Sequence, residues 1–459
     1  MAEKSLDNNK MRTMPVGKLL FNMALPLALS MLVQALYNIV DSIYVSRISD
    51  SAVTALSLAF PIQHLIIGFA TGIGVGMNSL LSKSLGENNR KRVNVAAGNG
   101  IFLMCIAIVL FMLFGFLGSR PFFELQSNVK ETVDGGANYI SICCIFCVGI
   151  FVEVLGERML QASGRTIYTL FTQGTGAVLN IILDPVFIFG VPALGIPALG
   201  MAGAAIATVI GQWVAAILAV IFNFTKNPDV QFSLKYIRPD PKILKKILSV
   251  GIPSIIMMAI GSVMTFSMNG IFQGFKDYGE TATGVFGVYF KLQSFVFMPL
   301  IGINNASVSI LAYNYGARLP QRIMKNLKCA LGSALVIMIV GLMVFQLLPE
   351  LLLQMFEPSE EFLQIGISAL RIVSLGFLFA AVSIALSATF QAMGVGIYST
   401  ITSLGRQLLV LVPVAYLLSL TGNVHLVWWA FPAAEVVCMV LSVIFYSRIY
   451  RNKIKPLYE

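Results

Sequence analysis

Apolar residues fill this chain in long blocks, and polar residues gather in the short gaps between them. Twelve blocks can be traced, centred near Gln34, Ile67, Leu103, Cys144, Val178, Gln212, Ile260, Phe297, Ile337, Phe377, Leu409 and Val437. Each is long enough for the roughly 20 apolar residues that a helix needs to cross a bilayer. Backbone groups in hydrocarbon must satisfy one another, which restricts such runs to helices. The pattern predicts an all-α polytopic membrane protein with 12 transmembrane helices. The first block is too long for a signal peptide, lacks a small-residue cleavage site and is followed by eleven others, so it reads as a span.

Composition agrees. Of 459 residues, 57% are hydrophobic and 11% charged, with mean hydropathy +0.83; a soluble domain carries about 25% charged residues. The net charge of +10 reports orientation. Lys and Arg cluster in alternate connections, at Lys4 to Lys18, Lys83 to Arg92, Arg158 and Arg165, Lys226 to Lys246, Arg318 to Lys328 and Arg448 to Lys455. The intervening connections hold scattered bases and most of the acids, including Glu350, Glu357, Glu360 and Glu361. Positive residues stay cytoplasmic, so the expectation is a multi-pass protein of the cell membrane with both termini in the cytoplasm. No nucleic-acid partner is called for.

The chain also repeats itself. Q161-A-S-G-R-T-I-Y returns as Q391-A-M-G-V-G-I-Y at an offset of 230, which also aligns Gly72 with Gly302, Ser79 with Ser309, Gly86 with Gly316 and Arg92 with Arg322. Near the start of each half, Pro26 matches Pro253 at an offset of 227. Six spans per half is an even number, so the halves are parallel repeats (6+6), a plan in which substrate binds near the midplane. The expected parts are an N-terminal lobe over 1–222, a cytoplasmic linker over 223–249, partly an amphipathic helix, and a C-terminal lobe over 250–459.

Four acids fall inside spans: Asp41, Glu153, Asp184 and Glu435. A charge there costs about 3 kcal/mol on insertion scales and is functional by default. Gln34, Tyr37, Asn38 and Asp41 recur at i, i+3, i+4 and i+7, one wet stripe on an otherwise apolar helix. Pro26 removes a backbone hydrogen bond earlier in that helix and predicts a kink. Asp184 follows Asn180 by one turn, with Gln173 on the same face, and Pro185 is expected to break the helix. Tyr139 lies at a similar depth and is placed to donate to either acid. Two carboxylates in one low-dielectric cavity cannot both stay charged. Such a pair can exchange a proton, hold Na⁺ with Asn180 as a further oxygen ligand, or attract a cationic substrate, and competition among these gives antiport.

The second half replaces the stripe with Met257, Met264 and Met268, on one face through i, i+7 and i+11. Methionine is adaptable and suits promiscuous apolar binding; ordinary helix packing explains it equally well. Arg406 and Glu435 are expected to pair or to satisfy freed backbone groups. Glu153, near Glu157 and Arg158, is expected to snorkel or pair at the cytoplasmic end of its span. Cys143, Cys144 and Cys147 read as small packing residues, His64 and His425 stand alone, and Gly72, Gly74 and Gly76 read as close helix packing, not a nucleotide loop.

With "LPLALSMLVQALYNIVD", "GERMLQASGRTIY", "NIILDPVFIFG" and "FPAAE" in hand, the chain resembles a multidrug and toxic compound extrusion (MATE) transporter over essentially its full length. It is most similar to the prokaryotic branch with coupling acids in the N-terminal lobe. The resemblance implies a V-shaped, two-lobe fold that alternates between outward and inward openings. It implies an ion-coupling network of Asp41, Asp184, Asn180 and Tyr139, a cavity lined by Gln34, Tyr37 and Asn38, and a helix that bends at Pro26. Some members with a proposed Na⁺ site carry a Thr where this chain has Ala202, which leans the reading toward H⁺. The expected function is efflux of lipophilic organic cations by H⁺ or Na⁺ antiport, by a monomer without a cofactor. The alternative within the superfamily, a flippase for a lipid-linked precursor, calls for several midplane bases that are not found. An enzyme is not supported, since no H-E-x-x-H, Ser/His/Asp set or Cys/His pair occurs at depth, and a channel would need a filter segment.

Overall fold

The computed structural model describes residues 10–192, 195–231, 233–276, 278–356 and 359–459. Lys4 and Glu357, named among the charged connections, lie outside the described residues, as do the side chains of Asp50 and Leu234. The described chain is helical, with one isolated bridge between Val191 and Ile196. The first half runs α1 (Val16–Ser46), α2 (Asp50–Gly86), α3 (Arg90–Leu117), α4 (Lys130–Ile145), α5 (Val148–Ala162), α6 (Ile167–Phe189) and α7 (Met201–Lys226). The second runs α8 (Pro241–Gln273), α9 (Gly279–Gly316), α10 (Pro320–Leu347), α11 (Glu360–Ser374), α12 (Phe377–Ala392), α13 (Gly396–Leu404), α14 (Val412–Ser419) and α15 (Ala430–Ile449).

Ten helical segments are long and apolar enough to span a membrane, with α13 and α14 together forming one of them (Gly396–Ser419), and two bent pairs bring the total to as many as 12. The bent pairs are α4 with α5, at 47°, and α11 with α12, at 48°. Their breaks sit at Phe146–Cys147 and at Leu375–Gly376, within one residue of the repeat offset of 230. It also relates the left-handed residues Asn88 and Arg318 (φ 56° and 54°) and Gly164 and Gly394 (φ 74° and 72°).

Contacts sort the chain into two compact units, one of Leu29–Ile255 and one of Lys10–Ala28 with Ile256–Glu459. In the first, small residues let helices approach, as is usual where lipid removes the hydrophobic drive between them. A Cβ on Gly76 would lie 2.1 Å from the Ile247 carbonyl oxygen, and one on Gly72 2.5 Å from Ile255 Cγ1. These glycines therefore serve close packing, as their sequence context predicts. The linker is docked in the same unit. Asn94 Oδ1 accepts from Gln231 N at 2.9 Å, Asn99 Oδ1 from Asp240 N at 2.8 Å, and Arg165 pairs with Asp229. Between α7 and α8 it holds a short 3₁₀ turn, Leu234–Tyr236, and its last nine residues, 241–249, are the basic first turns of α8. Its backbone polar groups are answered by α3 side chains.

The second unit packs around an aromatic cluster. Phe272 stacks on Trp428 at 4.5 Å, and Phe286 and Phe431 close around them. Its lead-in segment is held by Arg322, whose Nη2 donates to the Met11 and Met14 carbonyls at 2.9 and 2.8 Å.

Two prolines behave differently from expectation or leave it open. α1 runs as one helix through Pro26. α6 also continues four residues past Pro185, to Phe189. A proline loses one backbone bond and can be carried where neighbouring helices support the turn. The helix ends instead at Gly190, whose φ of 74° is open chiefly to glycine.

Candidate functional site

The first unit gathers the polar residues that the sequence marks. Gly176 of α6 meets Gly211 of α7 so closely that a Cβ on Gly211 would lie 2.7 Å from the Gly176 carbonyl oxygen. That approach brings Thr208 of α7 to Asn180 of α6. Asn180 Nδ2 donates to Thr208 Oγ1 at 3.3 Å and to Asp184 Oδ1 at 3.2 Å. Asp184 is 0% exposed and Asn180 3%. The hydroxyl on Asn180 comes from Thr208; Ala202 has none to offer.

Asp41 of α1 is 9% exposed. Its charge acts on Asp184, Tyr37 and Tyr139, so the two acids lie within electrostatic reach of each other. Tyr37 bonds to Gln34 on the same helix; both are half-buried, and Asn38 is exposed at the edge of the stripe. Tyr139 does not bond to either acid. Its hydroxyl accepts from Gln63 Nε2 of α2 at 2.6 Å and bonds to Cys143.

Three acceptor atoms in this group are buried without a hydrogen-bond partner: Asp41 Oδ1, Asn180 Oδ1 and Asp184 Oδ2. A buried polar group left unpaired costs about 1–3 kcal/mol. All three are oxygens that can accept but not donate, the donor set that hard cations prefer and a proton also satisfies. They fit a cation as transported cargo.

Glu153, expected to snorkel or pair, is buried at 8% exposure. Glu157, one turn on, is 3% exposed and accepts from Thr172 Oγ1 at 2.6 Å and from Gln173 Nε2 at 2.9 Å. Gln173, expected beside Asn180, is thus committed to Glu157. The sequence reading missed Gln63, Thr172 and Thr208 and undervalued Glu157. Gln63 and Glu157 were visible as polar residues in apolar runs; the two threonines gave no periodic signal.

In the second unit, Arg406 Nη1 donates to Glu435 Oε1 at 3.0 Å, as the sequence suggested. Arg406 lies in a π-helical stretch, Gly405–Leu411, just before Pro413. Met264 and Met268 are buried in the core with Phe272, Phe286 and Trp428, and Met257 is half-buried. Cys143, Cys144 and Cys147 are buried free thiols, and among the described residues no group of His, Cys, Asp and Glu has a metal-holding arrangement.

The MatE family model matches residues 26–186 and again 253–417, the two repeats in turn. The chain belongs to the MATE family. It is a membrane transporter and not an enzyme. It is 24% identical over 445 residues to the multidrug export protein MepA of Staphylococcus haemolyticus (strain JCSC1435), covering 96% of this chain and 95% of that one. It is 26% identical over 437 residues to the probable multidrug resistance protein YoeA of Bacillus subtilis (strain 168), covering 93% of each. It superposes with a TM-score of 0.90, at 25% identity and 98% coverage of both chains, on an outward-facing multidrug resistance MATE family transporter of the MOP superfamily. The two-lobe, twelve-span MATE architecture read from the repeat is therefore the fold of this chain.

Proposed function

We propose that this MATE transporter exports lipophilic organic cations in exchange for H⁺ or Na⁺ by alternating access. The observation that carries the reading is the set of buried, unpartnered oxygens on Asp41, Asn180 and Asp184. An incoming ion completes them, and a substrate cation competes for the same negative charge. Asp41 and Asp184 bind the ion. Asn180, held by Thr208, positions Asp184, and Tyr139 is kept in place by Gln63. Gln34, Tyr37 and Asn38 line the route to these acids on α1. Pro26 lets α1 bend, since its missing N–H frees a carbonyl one turn back. Met257, half-buried on α8, is the methionine best placed for apolar contact; Met264 and Met268 would contribute only as their unit repacks. The multidrug export proteins it resembles support the substrate class. The distribution of Lys and Arg supports cytoplasmic termini in the cell membrane. The lobes are proposed to span 1–222 and 250–459, joined by 223–249, in a monomer.

The test is ethidium efflux from cells expressing the full chain. Wild type lowers the intracellular dye, and Asp41→Asn and Asp184→Asn abolish that effect at equal expression. Efflux by Asp41→Asn equal to wild type would refute the coupling role.

A further inference from the structure

Asp184 lies 11 residues along α6 from Gln173, roughly 16 Å at the helical rise. An ion taken up at Asp41 and Asp184 has this distance to travel before it leaves by the opposite end of the lobe, which the basic connections assign to the cytoplasm. α5 carries Glu153 and Glu157 one turn apart on one face, both buried. Acids retained inside a span are costly to insert, and the Asp41–Asp184 site uses neither.

Beside Glu157, too, buried polar atoms are left open. Gln173 gives its amide nitrogen to Glu157, and its amide oxygen is buried and accepts nothing. One turn earlier on α6, Thr169 is 0% exposed with its hydroxyl unpartnered. Thr169, Gln173, Asn180 and Asp184 fall at i, i+4, i+11 and i+15, a single narrow stripe of α6 that leads from the acid pair to Glu157. The Tyr37 hydroxyl lies within electrostatic reach of Glu153, Asp41 and Asp184 together. The charged groups acting on Glu157 are Glu153 and Arg158, from its own helix. Arg158 Nη1 donates to Gln161 at 3.0 Å, and its side chain lies against Gly74 of α2. From α6 the facing groups are the neutral Thr172 and Gln173.

We propose that Glu153 and Glu157, with Thr169, Thr172 and Gln173, form a second station for the coupling cation, which receives it from Asp41 and Asp184 past Tyr37 and releases it to the cytoplasm. The proposal rests on the coupling role of Asp41 and Asp184. If the cation is a proton, it leaves a carboxyl oxygen of the outer pair and is bound by a carboxylate oxygen of the inner pair, so charge is conserved within the lobe.

The test uses the full chain in proteoliposomes with ethidium as the probe. Three rates are compared: ethidium exchange at equilibrium with no ion gradient, uptake driven by a pH gradient without Na⁺, and uptake driven by a Na⁺ gradient at symmetric pH. The gradient that drives wild type identifies the cation. Glu157→Gln keeps the size and hydrogen-bonding reach of the side chain and removes its charge. It is expected to retain equilibrium exchange and to lose about tenfold or more of driven uptake, equivalent to about 1.4 kcal/mol. Glu157→Asp recovers part of it, and Gln173→Leu and Thr172→Val fall between. Driven uptake by Glu157→Gln equal to wild type overturns the station and leaves the outer site standing. Equal loss of exchange and driven uptake in both Glu157→Gln and Glu157→Asp also overturns it, in favour of a packing role. If Asp41→Asn drives uptake as wild type does, the coupling reading fails and the station with it.

Discussion

Asn180 donates to Asp184 at 3.2 Å from the preceding turn of α6, and each keeps one buried oxygen with no partner. The amide therefore orients the carboxylate without saturating it. A fully hydrogen-bonded aspartate would be a structural clasp; this one retains an open acceptor facing a neighbourhood that already includes Asp41.

Removing the amide should uncouple orientation from charge. Asn180→Leu leaves the Asp184 carboxylate with no donor among the described side chains, at a penalty of about 1–3 kcal/mol. Ion-driven ethidium transport is expected to fall by about tenfold or more, with Asn180→Gln recovering less than half. The measurement is initial rate in proteoliposomes at matched protein content.

Thr208 is expected to matter through Asn180 and not through substrate. Thr208→Val keeps the shape and removes the hydroxyl; Thr208→Ser restores it. The apparent affinity for the coupling ion should weaken in the valine variant and recover in the serine variant, while ethidium affinity, read by fluorescence polarisation, stays constant. An unchanged ion affinity would separate Thr208 from the site.

The close approach of α6 and α7 gives a stability prediction. Gly211→Val places side-chain atoms against the Gly176 carbonyl, 2.7 Å from where even a Cβ would stand. Overpacking of this kind costs about 1–3 kcal/mol. The melting midpoint in detergent is expected to drop by several degrees. Gly174→Ala, on α6 beside Gly176 but with nothing within 4 Å of the added carbon, should leave it unchanged.

Arg406 and Glu435 are assigned a structural role in the second unit, and a double replacement separates that from coupling. Breaking one partner of a buried pair is costly, about 3 kcal/mol at the lower end of the usual range, because these side chains are 26% and 16% exposed. Replacing both by apolar residues is often neutral. Arg406→Met and Glu435→Gln singly should lower the melting midpoint, and the double variant Arg406→Met with Glu435→Leu should regain stability and ion-driven transport. A stable double variant that has lost coupling would move the pair into the transport machinery.

Much of this was legible in the linear chain because its physics is local or periodic. Apolar runs mark spans, and a fixed offset of 230 marks the repeat; the bends at Phe146–Cys147 and Leu375–Gly376 then fall within one residue of where the offset puts them. The stripe from Gln34 to Asp41 and the Asn180–Asp184 turn follow from helical spacing alone. Contacts between helices were not legible. Thr208 looks like any hydroxyl tolerated in an apolar run until Gly176 and Gly211 bring its helix against Asn180. Glu157 stands beside Arg158 in the chain, and nothing in that spacing shows that Thr172 and Gln173 of α6 donate to it. Pro185 reads as a helix terminator, but losing one backbone bond does not stop α6, and Gly190 does.

The central claim is that the Asp41–Asp184 pair exchanges the coupling ion for substrate. The most direct measurement loads proteoliposomes with ethidium, applies no ion gradient, and follows lumenal pH and Na⁺ with entrapped indicator dyes as the substrate runs down its gradient. The account predicts counter-movement of one of these ions in wild type and none above empty liposomes in the Asp41→Asn, Asp184→Asn double variant, at a melting midpoint in detergent equal to that of wild type. Ion movement by the double variant at the wild-type ratio to substrate would contradict it.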